Sequence, residues 1–443
     1  MKKQDAKERI KNFDEVNLGY SKEEAVAEAS RCLQCKVPQC VQGCPVNIDI
    51  PGFILQIKKD NLQSSIDIIK KTNNLPGVCG RVCPQEEQCE KKCILKAKNK
   101  AIKIGYLERF ASENETKTDI LHIKKINKKI AIIGSGPASL TCAADLALKG
   151  YNVTLFEALH KTGGVLRYGI PEFRLPKRIV DNEVDFIKKL GVDIKTNFVI
   201  GKTLSLEDLK NEFDAIFIGV GAGLPSFMNI LGENLPGVYS ANEFLTRINL
   251  MKAYDFPNHD TPIKKADKVV VVGGGNVAID SARCAKRLGS KVTLVYRRSI
   301  EEMPAREEEI HNAKEEGIEF LFLTNPTKII GNDKVEGIEC VQMMLSEEDV
   351  DGRKTAIPIE NSEFIIDCGQ VIIAIGQGPN PLLVKNTKLN QDSRGRLFVD
   401  EKKQTSDAKI FAGGDIIKGE ATVIKAMGDG KKAAQSIHEY LSQ

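Results

Sequence analysis

The run from Lys129 to Glu157, KIAIIGSGPASLTCAADLALKGYNVTLFE, constrains this chain more than any other. Apolar residues lead straight into Gly134-Ser135-Gly136-Pro137-Ala138-Ser139. An Ala/Leu-rich stretch of helical composition follows, and Asn152 to Phe156 alternates as a strand does. Strand, glycine turn, helix and strand make a βαβ unit. Its turn suits a dinucleotide: Gly134 permits the tight bend, Gly136 lets the backbone approach a pyrophosphate, and the helix start at Pro137 and Ala138 offers unpaired N–H groups and a positive dipole end. Glu157, 23 positions after Gly134, is placed to take a ribose hydroxyl. Ser139 stands where Gly or Ala is usual, which weakens the motif taken alone.

A second copy strengthens it. Lys268 to Arg298, KVVVVGGGNVAIDSARCAKRLGSKVTLVYRR, repeats the plan with Gly273-Gly274-Gly275-Asn276-Val277-Ala278 at the turn. Each helix is expected to end at a glycine 16 positions after its first motif glycine, Gly150 and Gly289. The counterpart of Glu157 is Tyr296, followed by Arg297 and Arg298. Exchanging a carboxylate for guanidinium groups favours a ligand with a 2′-phosphate. The second site therefore reads as NADP(H), and the first as a non-phosphorylated ribose such as that of FAD.

Twelve cysteines in a chain whose first residues, MKKQDAKERIKNF, contain no apolar run are not naturally disulfides, so metal or redox roles come first. Eight of them lie within 62 residues, as Cys32-x2-Cys35-x4-Cys40-x3-Cys44-Pro45 and Cys79-x3-Cys83-Pro84-x4-Cys89-x3-Cys93. Structural zinc would want repeated C-x2-C or Cys/His pairs, and only one C-x2-C exists, with no His between the groups. A redox pair at Cys32 and Cys35 would need its own βαβ context. Iron–sulfur clusters fit best, because a run closed by Cys-Pro resembles the bacterial ferredoxin pattern. Nowhere do 18 apolar residues run together, and a net charge of +4 over 443 residues argues against an extended nucleic-acid surface. The local lysine clusters read as solvated faces, and a soluble, cytoplasmic protein is expected, with no membrane partner.

In chain order, residues 1 to about 20 read as irregular or loosely helical, and Ser21 to Glu24 is a capping box for a short helix delivering Cys32. Helical patterns follow from Ile48 to Lys71 and from Ile94 to Ala111, and Lys124 to Lys129 reads as a linker. After Glu157, the loop Lys161 to Pro176 holds Gly164, Leu166 and Arg174. Its density of Gly and Pro suggests close approach to a flat ligand. Ala215 to Gly221 and Ile365 to Gly376 read as buried strands running into glycines that border the cofactors. Glu301 to Arg306 and the Glu-rich helix after it read as surface. Near the end, Phe411-Ala-Gly413-Gly414-Asp415 precedes Gly419-Glu-Ala421-Thr422-Val423 and a helix. The expected architecture is α/β: two Rossmann-like dinucleotide-binding domains, the FAD domain interrupted by the NADP domain, preceded by a helical iron–sulfur domain. The division is 1–125 for the iron–sulfur clusters, 126–235 and 376–443 for FAD, and 236–375 for NADP(H).

These motifs together, with GGVLRYGIPEFRLPK, AIGQGPN and FAGGD, resemble the two-dinucleotide-domain flavoproteins, and more narrowly the glutamate synthase small-subunit family. The chain is also similar to the electron-handling end of dihydropyrimidine dehydrogenase and to the NADPH-binding subunit of electron-bifurcating transhydrogenases. The resemblance implies that Cys32, Cys35, Cys40 and Cys93 hold one 4Fe-4S cluster, and that Cys44, Cys83 and Cys89 hold the other. Glu108, in Ile104-Gly-Tyr-Leu-Glu108, is its implied fourth ligand. Cys79 is left as a structural thiol or an alternative ligand. Gly414 and Asp415 would meet the FAD ribityl and phosphate region, with Thr422 and Val423 near the flavin ring.

Hydride transfer from nicotinamide to flavin needs no protein acid or base, which suits a chain with five histidines and no catalytic candidate. Electrons would pass from NADPH through FAD and the two clusters to a larger partner subunit in a hetero-oligomer. That partner is expected to be the glutamate synthase large chain or the ferredoxin- and flavin-carrying subunits of a bifurcating complex. No N-terminal cysteine nucleophile, barrel-like run or C-x4-C in the FAD domain offers a terminal substrate site. Cys142 and Cys284, alone on the two motif helices, read as core residues.

Overall fold

The computed structural model describes residues 2–116, 123–348, 352, 354–385, 387–417 and 422–443; Gly419 and Ala421 of the C-terminal motif lie outside them. Two five-stranded parallel sheets organise the molecule. In the first, Lys129–Ile133 lies between Asn152–Phe156 and Ala215–Ile218. Asp193–Lys195 and Ile410–Ala412 form the edges. The last of these strands comes from the far end of the chain, so the first sheet is closed only after the second has been built. The second runs Val238–Ser240, Gln370–Ile373, Lys268–Val272, Lys291–Tyr296, Glu319–Phe322. Parallel strands are covered on both faces, and that is why they read as unbroken apolar runs such as KVVVV and AIFI. A small antiparallel sheet, Thr324–Ile330, Gly337–Glu348, Lys354–Pro358 and Phe364–Asp367, is inserted before Gln370. The two crossings between the domains pair as a ribbon, Leu224–Pro225 with Gln377–Gly378.

The cysteine-bearing segment is helical. Ser21 caps Lys22–Ser30 with the full reciprocal box to Glu24. Ile50–Lys58 and Leu62–Lys70 pack through Phe53, Ile54, Ile57, Ile66 and Ile69, all at most 1% exposed. Pro76–Val82 is buried along its whole length and lies against Ile104–Glu113. The closing helix Val423–Leu441 runs along Pro137–Leu148, and a Cβ at Gly430 would overlap the Ala138 carbonyl. One continuous core joins these helices to the first sheet.

Four local expectations are corrected. The single helix from Ile94 to Ala111 is a 3₁₀ turn, Ile94–Lys98, ended by Asn99 in the left-handed region (φ +53), then a separate helix. The strand from Ile365 to Gly376 is two: Phe364–Asp367 belongs to the antiparallel sheet, with Ile365 exposed, and only Gln370–Ile373 is buried. Residues 3–17 form an arm across the second domain. Val16 N–H donates to the Phe173 carbonyl (2.9 Å), Phe13 stacks on Tyr254 with centroids 4.2 Å apart, and buried Arg9 donates through Nε to Glu316 (2.8 Å). Arg283 and Arg287 converge on the same carboxylate. Finally, Met303, Ala305, Arg306 and Glu309 are buried, not surface. Arg306 reaches Glu86 (2.9 Å) and the Gln85 side chain (3.2 Å) of the cysteine domain. Charged residues read as surface when their partners lie 220 or 300 positions away.

Candidate functional site

At the end of Lys129–Ile133 the chain turns at Gly134 with φ +93, where a Cβ would stand 2.6 Å from the Gly219 carbonyl. Only glycine satisfies both conditions. Gly136 caps the helix that opens with Pro137 and Ala138, and nothing stands closer than 4.0 Å to where its Cβ would be, leaving room for a phosphate to approach backbone. Ser135 Oγ donates to Glu157 in a short bond and accepts from Gly163 N–H (2.9 Å), and Leu159 N–H donates to the other carboxylate oxygen (2.8 Å). Glu157 is thus fixed beside the turn, its pKa raised by burial against these hydrogen bonds.

The loop after Glu157 lies on the same turn. Gly164 (φ +53) would put a Cβ 2.9 Å from Gly136 Cα, and Leu166 is fully buried beneath it. Gly221 (φ +67) has nothing within 4 Å of its Cβ direction. Gly414 (φ +77) sits over Ala138 and donates to Asp429 (3.1 Å). The Tyr168 hydroxyl has its pKa pushed up to about 12 by burial and then by the charges of Glu157 and Asp415. Thr422 is the N-cap of Val423–Leu441 and also accepts from Gln88 of the cysteine domain (3.2 Å); Val423 packs on the shared core. Arg174 is the exception. Its guanidinium donates to both oxygens of Asp280 (2.8 and 2.6 Å) on the second nucleotide helix, and it binds the domains together instead of facing the glycine turn.

The second turn has the same build. Gly273 (φ +142) packs under the Ala374 carbonyl, Gly275 caps Asn276–Arg287, and Val277 is partly exposed at its mouth. Asn276 accepts from Arg306 N–H (3.0 Å). The Tyr296 ring lies against Gly274 and its hydroxyl donates to the Glu302 carbonyl (2.8 Å). The two arginines part company. Arg297 is exposed, while Arg298 is buried and donates to the Lys354 carbonyl of the antiparallel sheet (2.7 Å). Gly376 (φ +121) accepts from Ser226 N–H (3.0 Å) at the crossing ribbon.

All twelve cysteines are free. Cys44, Cys79, Cys83 and Cys89 line one cavity with Glu108, walled by Ile48, Phe53, Ile104 and Ile424. Burial drives Cys44, Cys79, Cys89 and Glu108 toward their protonated forms. The Cys44 thiol is pushed up to about 11, Cys79 and Cys89 lie well above the usual thiol range, and Glu108 is raised to about 8 although Asn73 donates to it (2.6 Å). Sulfur and carboxylate donors sealed together without a compensating cation make a donor set fitted to a buried metal centre. The cavity touches the closing helix: Ile424 lines it, Cys79 Sγ is 3.4 Å from Met427 Sδ, and Gly428 abuts Pro45.

Cys32, Cys35, Cys40 and Cys93 gather separately and are half-buried. Burial raises the Cys40 thiol to about 11, followed by its neighbours Cys93 and Cys32; Cys32 is raised in the same way by burial, Cys35 and Cys93. The last cysteine of the second run therefore joins the first group. Among the described residues no three side chains stand in coordinating geometry for a single ion; in a four-iron cluster each ligand takes a different iron. No helix among the described residues is long and apolar enough to cross a membrane. Sequence reasoning missed Asn73, Gln88, Arg306 and Met427, whose partners lie on remote segments.

The chain matches the family model described as dihydropyrimidine dehydrogenase domain II, 4Fe-4S cluster, over residues 9–120, and that of pyridine nucleotide-disulphide oxidoreductase over 128–430. It is 37% identical to the glutamate synthase [NADPH] small chain of Escherichia coli, covering 97% of this chain and 94% of that one. It is 36% identical to the corresponding protein of Halomonas elongata over 99% and 95%. It is also 37% identical to the NADP(+)-dependent formate dehydrogenase subunit beta of Moorella thermoacetica, over 91% of this chain but 60% of that one. Among solved structures, FprA from Mycobacterium tuberculosis in complex with NADPH superposes with a TM-score of 0.60 at 20% identity, over 71% of this chain and 85% of that one, a likeness of fold. The protein is an NADPH oxidoreductase with FAD, NADP(H) and 4Fe-4S clusters as cofactors. The chain belongs to the glutamate synthase small-subunit family of FAD- and iron–sulfur-dependent NADPH oxidoreductases.

Proposed function

We propose that this chain is the electron-input subunit of a larger cytoplasmic enzyme, delivering reducing equivalents of NADPH to a glutamate synthase large chain. When bound, FAD accepts two electrons together and releases them singly, and 4Fe-4S clusters carry one at a time. In this reading residues 1–125 hold two clusters, 126–235 with 376–443 hold FAD, and 236–375 hold NADP(H). Gly134 to Ala138 with Gly164, Gly221 and Gly414 cradle the FAD phosphates, and Glu157 takes the ribose. Gly273, Gly275, Asn276 and Val277 receive the NADP(H) phosphates, and Arg297 alone takes the 2′-phosphate, since Arg298 is engaged elsewhere. Cys44, Cys83, Cys89 and Glu108 ligate the inner cluster; Cys32, Cys35, Cys40 and Cys93 the outer one.

The observation that carries the reading is the closing helix. Its N-cap Thr422 belongs to the FAD half, its Ile424 lines the inner cysteine cavity, and its Gly430 presses on Ala138 at the pyrophosphate turn. One rigid element thus spans the flavin cradle and the inner metal centre, which keeps both dry and in register. In a second reading the same unit exchanges NADP(H) electrons with a ferredoxin-linked or bifurcating assembly; a relative named as the beta subunit of an NADP(+)-dependent formate dehydrogenase supports service to a partner other than glutamate synthase.

The test is anaerobic purification, a count of flavin, iron and labile sulfide per chain, and addition of NADPH. Bleaching of both flavin and cluster bands is expected; flavin bleaching with inert clusters would refute the electron path. Glu108→Ala should lower the iron count and alter the cluster spectrum, with Cys79→Ala leaving both unchanged. The reverse result would make Cys79 the ligand.

A further inference from the structure

We infer that the exposed face around Cys32, Cys35, Cys40 and Cys93 is a docking surface for a redox protein whose matching face is acidic with an apolar centre. It rests on the proposed role of these cysteines as ligands of the outer cluster. The inner thiols are sealed by the core, whereas the outer four are half-exposed, so electrons leaving the chain must leave here. Tunnelling falls steeply with distance, and a partner has to come down onto this edge.

Three large apolar side chains are exposed on the segments that carry these cysteines: Leu33 at 59%, Val37 at 67% and Ile94 at 65%. Leu33 and Ile94 adjoin Cys32 and Cys93, which face each other, and Arg31 ties the two segments by donating to the Lys100 carbonyl (2.6 Å). Single exposed apolar residues need no explanation, but three framing one redox edge do.

The rim carries an excess of basic residues. Residues 91–103 contain six lysines and no acid. Lys91 and Lys103 are taken by Glu87 and Glu90, and Glu28 and Glu86 are taken by Arg31 and Arg306. Lys92, Lys96, Lys98, Lys100 and, on the first segment, Lys36 are exposed and make no ion pair among the described residues. These five cations exceed the entire chain's surplus of +4, so the remaining charged residues carry no net positive charge between them. An apolar centre that sheds water inside a mainly basic rim that steers encounter is the build of a transient redox interface. A polyanion such as nucleic acid would use the lysines but not the three apolar groups.

The test measures association of the anaerobic holoprotein, at low and high salt, with three probes: plastocyanin as an acidic carrier, cytochrome c as a basic one, and a DNA duplex. Plastocyanin is expected to bind, to weaken on the order of tenfold with added salt, and to lose a similar factor in the triple variant Lys96→Glu, Lys98→Glu, Lys100→Glu. Leu33→Ser with Ile94→Ser should weaken it further at unchanged salt dependence. Equal binding of cytochrome c, tighter binding of DNA, or an unaffected triple variant would overturn the assignment. NADPH-driven flavin bleaching should be the same in the variants and the parent. If NADPH fails to bleach the flavin, the electron-delivery proposal falls, and the face is still judged by binding.

Discussion

Glu316→Gln removes one charge and almost no volume from the place where the N-terminal arm meets the second nucleotide domain. The wild-type carboxylate is fully covered and receives Arg9 (2.8 Å), Arg283 (2.9 and 2.7 Å) and Arg287 (2.8 and 3.1 Å). Burial opposes its ionisation, but Arg283 and Arg287 outweigh that and hold it at about 2 instead of the ordinary 4.5. Each tenfold change in an ionisation constant is worth about 1.4 kcal/mol, so the charge contributes about 3 kcal/mol. Loss of one partner of a buried ion pair falls in the same range, about 3–5 kcal/mol. Because the folded value is depressed, this stability is complete above about pH 4.5 and disappears as pH falls toward about 2. Glu316→Gln should therefore unfold at lower urea than wild type at pH 7, with the gap narrowing below pH 4.5. The chain has no tryptophan, so circular dichroism is the suitable signal. A gap under about 1 kcal/mol at pH 7, or one independent of pH down to 3, would show that the three arginines do not depend on this carboxylate.

Arg297→Ala should raise the KM for NADPH about tenfold or more and leave NADH unchanged, as loss of a charged hydrogen bond to a phosphate requires. Arg298→Ala should leave that ratio alone, because its guanidinium serves the Lys354 carbonyl; steady-state kinetics with both nucleotides decides. Gly134→Ala forces a side chain into a left-handed turn, 2.6 Å from the Gly219 carbonyl, and should yield protein with little bound flavin by absorbance. Cys284→Ala, at a fully buried site on the second nucleotide helix, should leave iron and flavin per chain unchanged.

Both nucleotide turns were legible because their chemistry is local. Gly134, Gly136, Gly273 and Gly275 are set by backbone geometry within a few residues, and Glu157 by a fixed offset from its turn. The cysteine runs announced metal chemistry by number and spacing. What spacing could not supply was the interleaving that carries Cys93 back to Cys32 and Cys40; that assignment came only from family resemblance. Charged residues were the least legible. Arg9, Arg306 and Glu309 look like solvent-facing positions in any local window, and each is buried by a partner on a distant segment. The same blindness made Arg297 and Arg298 look equivalent, although one is exposed and the other is buried against the antiparallel sheet.

Because the strand Ile410–Ala412 and the helix Val423–Leu441 are translated after both glycine turns and every cysteine, neither the flavin cradle nor the inner cysteine cavity has this wall until that helix has left the ribosome. Prosthetic groups delivered to a shorter nascent chain would meet half-built sockets, so loading belongs after this helix has emerged. A product cut before Val423 would forfeit flavin and iron in one stroke.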